Sequence, residues 1–218
     1  MQLLESCSVV LSAPSGTGKG TLIKRARERN PYIRFSVSTT TRPKREGETD
    51  GLDYHFVTPE VFHEMRHQGL FAEWAQVHGN WYGTSHKSFE KARSAPGILI
   101  LEIDVQGARL IGDKYPDVHT VFVLPPSRDE LETRIRNRAT ETEETINKRL
   151  SNAAKEICEA EKFDWWIVNR TVEQAVEDFL RLLSLLVGGE NVSRDEFRSE
   201  VVYNRVRRTF SEIRTSSS

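Results

Sequence analysis

The segment Ala13-Pro14-Ser15-Gly16-Thr17-Gly18-Lys19-Gly20-Thr21 carries the strongest chemical signal in the chain. Consecutive backbone N–H groups that end at a helix N-terminus make a concave anion site. Glycines let that backbone approach phosphate oxygens closely. Lys19 adds a point charge suited to the β- and γ-phosphates of a nucleoside triphosphate. The strict pattern G-x-x-x-x-G-K-[ST] is broken at both ends: Ala13 replaces the first Gly and Gly20 replaces the Ser/Thr. Gly20 has no hydroxyl to offer a metal. Mg²⁺ is therefore expected to be held by phosphates and water, steadied by Thr21. A turn with no ligand is the plain alternative, and Lys19 and the flanking elements speak against it.

A second polar stretch runs from Ser36 to Tyr54. It brings hydroxyls, Arg42, Arg45 and Tyr54 into one loop, and arginine forks match phosphate oxygens two at a time. Alone, such a run reads by default as a solvated charged loop, against which the hydroxyls and Tyr54 weigh only weakly. Glu102 and Asp104 lie two apart at the end of an apolar run. If that run is a strand, both point to one face at its C-terminal end, where α/β sheets bind ligands.

These residues need elements to hold them. Val9-Val10-Leu11 reads as a buried strand, followed by a helix over Lys19–Arg29 that buries Leu22, Ile23 and Ala26 and stops at Asn30-Pro31. Further strands are expected at Leu70–Val77, Trp81-Tyr82, Ile98–Asp104, Val118–Leu124 and Trp165–Val168. Helices are expected after the caps Thr58, Ser127, Thr140 and Thr171, and over Ser85–Arg93. Phe197, Val201, Val202 and Val206 give one more helical pattern, followed by a disordered Thr-Ser-Ser-Ser tail. Alternating strands and helices imply an α/β fold whose parallel sheet is covered on both faces.

The chain has 218 residues, 37% of them hydrophobic and 29% charged, which is ordinary globular composition. A net charge of -1 gives no global pull toward nucleic acid or an anionic membrane. Cys7 and Cys158 have no metal-ligand spacing and read as reduced, buried thiols of a cytoplasmic protein. No signal peptide is expected. Leu180–Val187 is too short to span a bilayer and reads as a core-facing helix end. The six histidines show no metal pattern and read as structural.

Six motifs in order resemble the guanylate kinase family. They are the Ala13–Thr21 loop, Ser38–Arg42 running on to Gly51–Tyr54, Glu73-Trp74-Ala75, Tyr82-Gly83-Thr84, Leu101–Gly107 and Thr140–Leu150. The resemblance spans about Val9 to Leu186. It implies a P-loop NTPase sheet flanked by helices, with transfer of the γ-phosphoryl group of ATP to GMP or dGMP and Mg²⁺ as the metal. It implies a core of residues 1–36, 89–126 and 156–190, a GMP-binding subdomain at 37–88, a lid at 127–155, and a C-terminal helix and tail at 191–218.

On the same resemblance, Arg42, Arg45, Tyr54 and Tyr82 fall to the GMP phosphate. Ser38, Glu73, Thr84 and Asp104 fall to the guanine edge, with Gly83 beside them and Glu48 ordering the loop. Arg134, Arg138 and Arg149 match lid arginines that close over the transferring phosphate, and Asn169 matches a position beside the adenine. Lys19, Arg42, Arg138 and Arg149 are the expected catalytic set. Glu102 is a candidate to orient Mg²⁺-bound water. Ala139 and Arg170 depart from the common Gly and Asp, which bears on lid hinging and on the adenine side.

The chemistry agrees. Guanine presents N1–H and a 2-amino group, so a carboxylate is the discriminating partner, and adenine lacks that pair of donors. Glu73 lies in an apolar strand where an unpaired carboxylate is costly; an outward-facing strand residue is the plain alternative. No general base is needed, since the attacking phosphate oxygen is already anionic. A non-catalytic scaffold module of the same family would lack Lys19 and the lid arginines. A kinase of another monophosphate would not need Glu73 and the Ser38–Tyr54 loop. A nucleic-acid partner has only Arg205–Arg208 in its favour. Both a monomer and a homodimer fit the sequence.

Overall fold

The computed structural model describes residues 6–77, 79–137 and 142–211. In chain order the elements are β1 (Cys7–Ser12), α1 (Lys19–Arg29), β2 (Ile33–Phe35), β3 (Thr39–Thr40), β4 (His55–Phe56), α2 (Pro59–His67), β5 (Phe71–Val77) and β6 (Asn80–Ser85). There follow α3 (His86–Arg93), β7 (Ile98–Glu102), α4 (Val105–Lys114), β8 (His119–Leu124), α5 (Arg128–Arg136) and α6 (Glu143–Cys158). After a 3-10 turn at Glu159–Lys162 come β9 (Trp165–Val168), α7 (Val172–Val187), α8 (Arg194–Phe197) and α9 (Glu200–Ser211).

A five-stranded sheet has the order β2-β7-β1-β8-β9, and a four-stranded sheet the order β4-β3-β6-β5. In the larger sheet β2 pairs with β7, and β8 with β9, in parallel. Its strands are near-continuous apolar runs because both faces are covered: all of β1 and Ile98–Leu101 of β7 are buried. The chain divides into two compact units, one through Val10 with Tyr32–His119, the other Leu11–Pro31 with the chain from Thr120.

The first unit holds the four-stranded sheet, whose pairing is mixed. Here β3 pairs with β4 in parallel but with β6 antiparallel, and β5 and β6 form an antiparallel pair. The polar stretch after Ser36 therefore contributes sheet as well as loop. Thr39 and Thr40 are buried, and the Thr40 hydroxyl donates to the Trp81 carbonyl (3.0 Å) and accepts from the Arg42 N–H (3.1 Å). Phe62 stacks on Phe71 at 4.5 Å, and Phe89 meets Tyr115 edge-on at 4.7 Å, to form the core beneath.

In the second unit α1 packs on α7, burying Leu22, Ile23 and Ala26 against a face that includes Phe179, Leu182 and Leu183. The cap of α6 is Thr142, whose hydroxyl accepts from the Thr145 N–H; the expected cap Thr140 lies outside the described residues. The run Thr140 to Thr145 consists of Thr and Glu alone, so the capping pattern fits more than one register. Along α6 the buried stripe is Ile146, Leu150, Ala153 and Ile157. Cys158 is one step off that stripe and is exposed, against the expectation of burial. Cys7 is buried in β1, which pushes its thiol up to about 11, and both cysteines are free.

The C-terminal helix also differs in detail. Phe197 and Val206 are buried as expected, but Val201 is 73% exposed, and Tyr203 and Phe210 fill the contact instead. The Tyr203 ring lies 4.7 Å from Trp166, and its hydroxyl donates to the Ile157 carbonyl. The Thr209 hydroxyl accepts the first N–H of α5, from Arg128. No helix among the described residues is long and apolar enough to cross a membrane.

Candidate active site

The phosphate loop links β1 to α1. Gly16 (φ 89°) and Gly18 (φ 95°) take the left-handed conformation, and Gly18 is the N-cap of α1 without a side-chain cap. The first turn of α1 carries no acidic residue, so the positive end of its dipole is not offset there. Neighbours as well as backbone demand these glycines. A Cβ at Gly16 would come within 2.8 Å of Ile135, and one at Gly18 within 2.7 Å of Asn169 Nδ2. At Gly20 a Cβ would meet nothing within 4 Å, so its missing hydroxyl is a chemical choice and not a steric one.

The other cations of this unit come from α5 and α6. Arg149 donates to the Ser15 hydroxyl at 2.9 Å. Arg134 donates to the carbonyls of Thr17 (3.2 Å), Asn169 (3.0 Å) and Arg170 (3.2 Å), and to Glu130. Asn169 donates from Nδ2 to the Thr17 carbonyl at 2.6 Å. Arg138, Ala139 and Thr140 lie outside the described residues. The acidic residues behave as surface pairs: Glu130 with Arg134, Glu132 with Arg128 and Arg136, Glu143 with Arg136. Such exposed pairs contribute little.

The first unit gathers the remaining candidates. Glu48 accepts from Arg42 Nη2 (2.7 Å) and from the Arg45 backbone N–H (2.7 Å), so one carboxylate ties the two arginine positions together. This bonding holds Glu48 below the usual carboxylate range and raises Arg42 further. The Arg42 guanidinium lies over Tyr54 at 5.5 Å, and Tyr54 meets Tyr82 edge-on at 6.0 Å. Burial, with Glu102 nearby, pushes Tyr54 up to about 12. The loop itself is built by Asp side chains: Asp50 accepts from the Phe56 N–H and Asp53 from the Thr49 N–H.

Glu73 is only 3% exposed. On β5 it alternates inward with Ala75 while Trp74 and Gln76 face out. Burial raises its carboxyl to about 7, opposed by hydrogen bonding from Thr84 and reinforced by the Asp104 charge. The Thr84 hydroxyl shares a 3.0 Å hydrogen bond with Ser38. Asp104 lies beyond the end of β7 and caps α4, with Oδ1 accepting from the Gly107 N–H at 2.8 Å. The alternation expected to align Glu102 with Asp104 therefore stops at Glu102, which ends β7 exposed. Gly83 serves close packing, since a Cβ there would fall 2.9 Å from the Phe71 ring.

The first unit thus holds an anion-seeking rim of Arg42, Tyr54 and Tyr82, and a buried acid framed by hydroxyls. A family model described as guanylate kinase matches residues 5–185. The chain belongs to the guanylate kinase family. A guanylate kinase of Syntrophotalea carbinolica is 50% identical over 88% of this chain and 89% of its own. One from Nitratidesulfovibrio vulgaris is 53% identical over 78% and 82%. The crystal structure of guanylate kinase from Anaplasma phagocytophilum superposes with a TM-score of 0.66, at 33% identity, over 86% of this chain and 88% of that one.

For a guanylate kinase chain, one residue of the acid pocket had no role in the sequence reading. A Cβ at Gly107 would lie 2.5 Å from Glu73 Oε2 and 3.2 Å from Asp104 Oδ1. Gly107 thus lets both carboxylates close in on the first turn of α4. The sequence signal was present, as a glycine three positions after a capping Asp, where helix propensity argues against it.

Proposed function

We propose that the chain transfers the γ-phosphoryl group of ATP to GMP, giving ADP and GDP, and accepts dGMP as well. The buried Glu73 carboxyl is the observation that carries this reading. It is costly to keep without a ligand, and the guanine N1–H and 2-amino group are the paired donors that satisfy it. Ser38, Thr84 and Asp104 complete the base pocket. Arg42, Arg45, Tyr54 and Tyr82 take the GMP phosphate, with Glu48 ordering the arginines. The Ala13–Thr21 loop takes the ATP phosphates, with Arg134 and Asn169 beside it. Lys19, Arg42, Arg138 and Arg149 neutralise charge on the transferring group. The segment 127–155 acts as a lid that excludes water as a competing acceptor, residues 1–36, 89–126 and 156–190 form the core, and 37–88 form the GMP-binding subdomain.

The donor set fits Mg²⁺ brought in with ATP. Mg²⁺ commonly relies on phosphate oxygens, waters and at most one or two carboxylates, so it needs no dedicated cluster of ligating side chains. Exposed Thr21, in the first turn of α1, is a side chain that could carry one of its waters. Bound there, the ion would neutralise the β- and γ-phosphates. Gly20→Ser restores the hydroxyl of the strict pattern into open space. The variant is expected to fold, gain about half a kcal/mol from helix propensity, and reach half-maximal turnover at lower Mg²⁺. Loss of folding in thermal melts would contradict the open space at Gly20.

Two free cysteines suit a reducing compartment, so we place the enzyme in the cytoplasm. The reaction is tested by product analysis. ATP with GMP should yield ADP and GDP in equal amounts, and ADP without GDP would mean hydrolysis and not transfer.

A further inference from the structure

The Thr17 carbonyl is gripped from two sides, by Asn169 Nδ2 at 2.6 Å and Arg134 Nη1 at 3.2 Å. Arg134 Nη2 ties the same group to the chain after β9 through the Asn169 and Arg170 carbonyls. All of these residues belong to one unit. The Asn169 side chain is 1% exposed. A carbonyl oxygen can only accept, so the amide nitrogen of Asn169 must be the atom that faces it. Glycine at position 18 is what admits that nitrogen, since a Cβ there would sit 2.7 Å away.

The peptide joining Thr17 to Gly18 is trans. In a planar trans peptide the C=O and N–H point in opposite directions. Fixing the Thr17 oxygen with two donors therefore fixes the direction of the Gly18 N–H, a group of the anion loop. If this peptide turned over, it would present an oxygen to the phosphates in place of a donor. We infer that Asn169 and Arg134 are positioning residues, which hold the 17–18 peptide so that its N–H serves the nucleotide phosphates. They strengthen binding of the phosphate chain through the loop and not by reading the base. The inference rests on the assignment of ATP to this loop.

The test uses Asn169→Leu and Arg134→Ala in the full chain, with inorganic tripolyphosphate as a competitor of ATP that has no base. In Asn169→Leu the KM for ATP and the inhibition constant of tripolyphosphate should rise together by about tenfold, with the GMP KM within about twofold of wild type. Arg134→Ala, whose side chain is partly exposed, should show the same pattern to a lesser degree and decides the matter if Asn169→Leu does not fold. Arg134→Lys, which keeps a donor, should recover part of the loss. A rise in the ATP KM with tripolyphosphate unaffected, or no change in either, overturns the inference. If tripolyphosphate does not compete with ATP in the wild type, the assignment of the loop to ATP fails first, apart from anything the variants do.

Discussion

Lys19→Ala is expected to lower kcat by roughly a hundredfold to a thousandfold while leaving the fold intact. Phosphoryl transfer leaves little covalent chemistry to the protein, so its rate depends on positioning and on charge placed where negative charge gathers. Lys19 is the cation that the loop itself supplies, at the first residue of α1. It is half-buried, and alanine is at least as good a helix former, so stability should hold. Steady-state turnover beside a thermal melt separates the two effects. Near-normal turnover would mean that the loop does not act on the transferring phosphate.

The second large effect lies at Glu73, where function and stability should move in opposite directions. Its carboxyl titrates at about 7 in the folded chain against the usual 4.5. Between those pH values the folded state holds a proton that the unfolded chain has lost. The stability linked to this group is thus full below about 4.5 and is lost as pH rises through about 7. Glu73→Gln abolishes that loss. At pH 8 the ligand-free variant should be more stable than wild type by up to about 3 kcal/mol, read from denaturant melts. The same change turns one of the two acceptor oxygens that the guanine donors require into an NH2 donor. Its kcat/KM for GMP should fall by roughly a hundredfold or more, with the ATP KM little changed. In the wild type, GMP affinity should weaken as pH falls below about 7, because the carboxylate and not the acid accepts both donors. A variant that is no more stable at pH 8 and still uses GMP normally would remove Glu73 from the base pocket.

Much of the framework was legible because its signals are local. Runs such as Val9–Leu11, Ile98–Leu101 and Val121–Leu124 are short, β-branched-rich and apolar throughout, which suits strands buried on both faces. Thr58, Ser127 and Thr171 each cap the helix that follows, because a short hydroxyl side chain meets the unpaired N–H groups of a first turn. What escaped depends on partners distant in sequence. Strand β3 is two threonines long and is made a strand only by its neighbours β4 and β6. Helix α4 has glycines at 107 and 112, which argue against a helix until the Asp104 cap and the buried Ala108 and Ile111 are counted. Glu73 could be read as inward or outward until the sheet gave it a side. Arg134 matched a lid arginine through the resemblance, and its hydrogen bonds to Thr17, far away in sequence, and to the carbonyls after β9 have no local signal that could have announced them.

The same distinction applies to the phosphate loop. Its glycines were legible as flexible backbone, but the steric demands of Gly16 and Gly18 come from Ile135 and Asn169. Gly20 faces no such demand, which singles it out as the position where the loop gives up a metal-binding hydroxyl at no gain in packing.

The most direct measurement is kcat/KM for GMP and for AMP with the unmodified enzyme at saturating ATP and Mg²⁺. A guanine site built on a buried carboxylate should favour GMP by about a thousandfold or more. Equal values for the two monophosphates would contradict it.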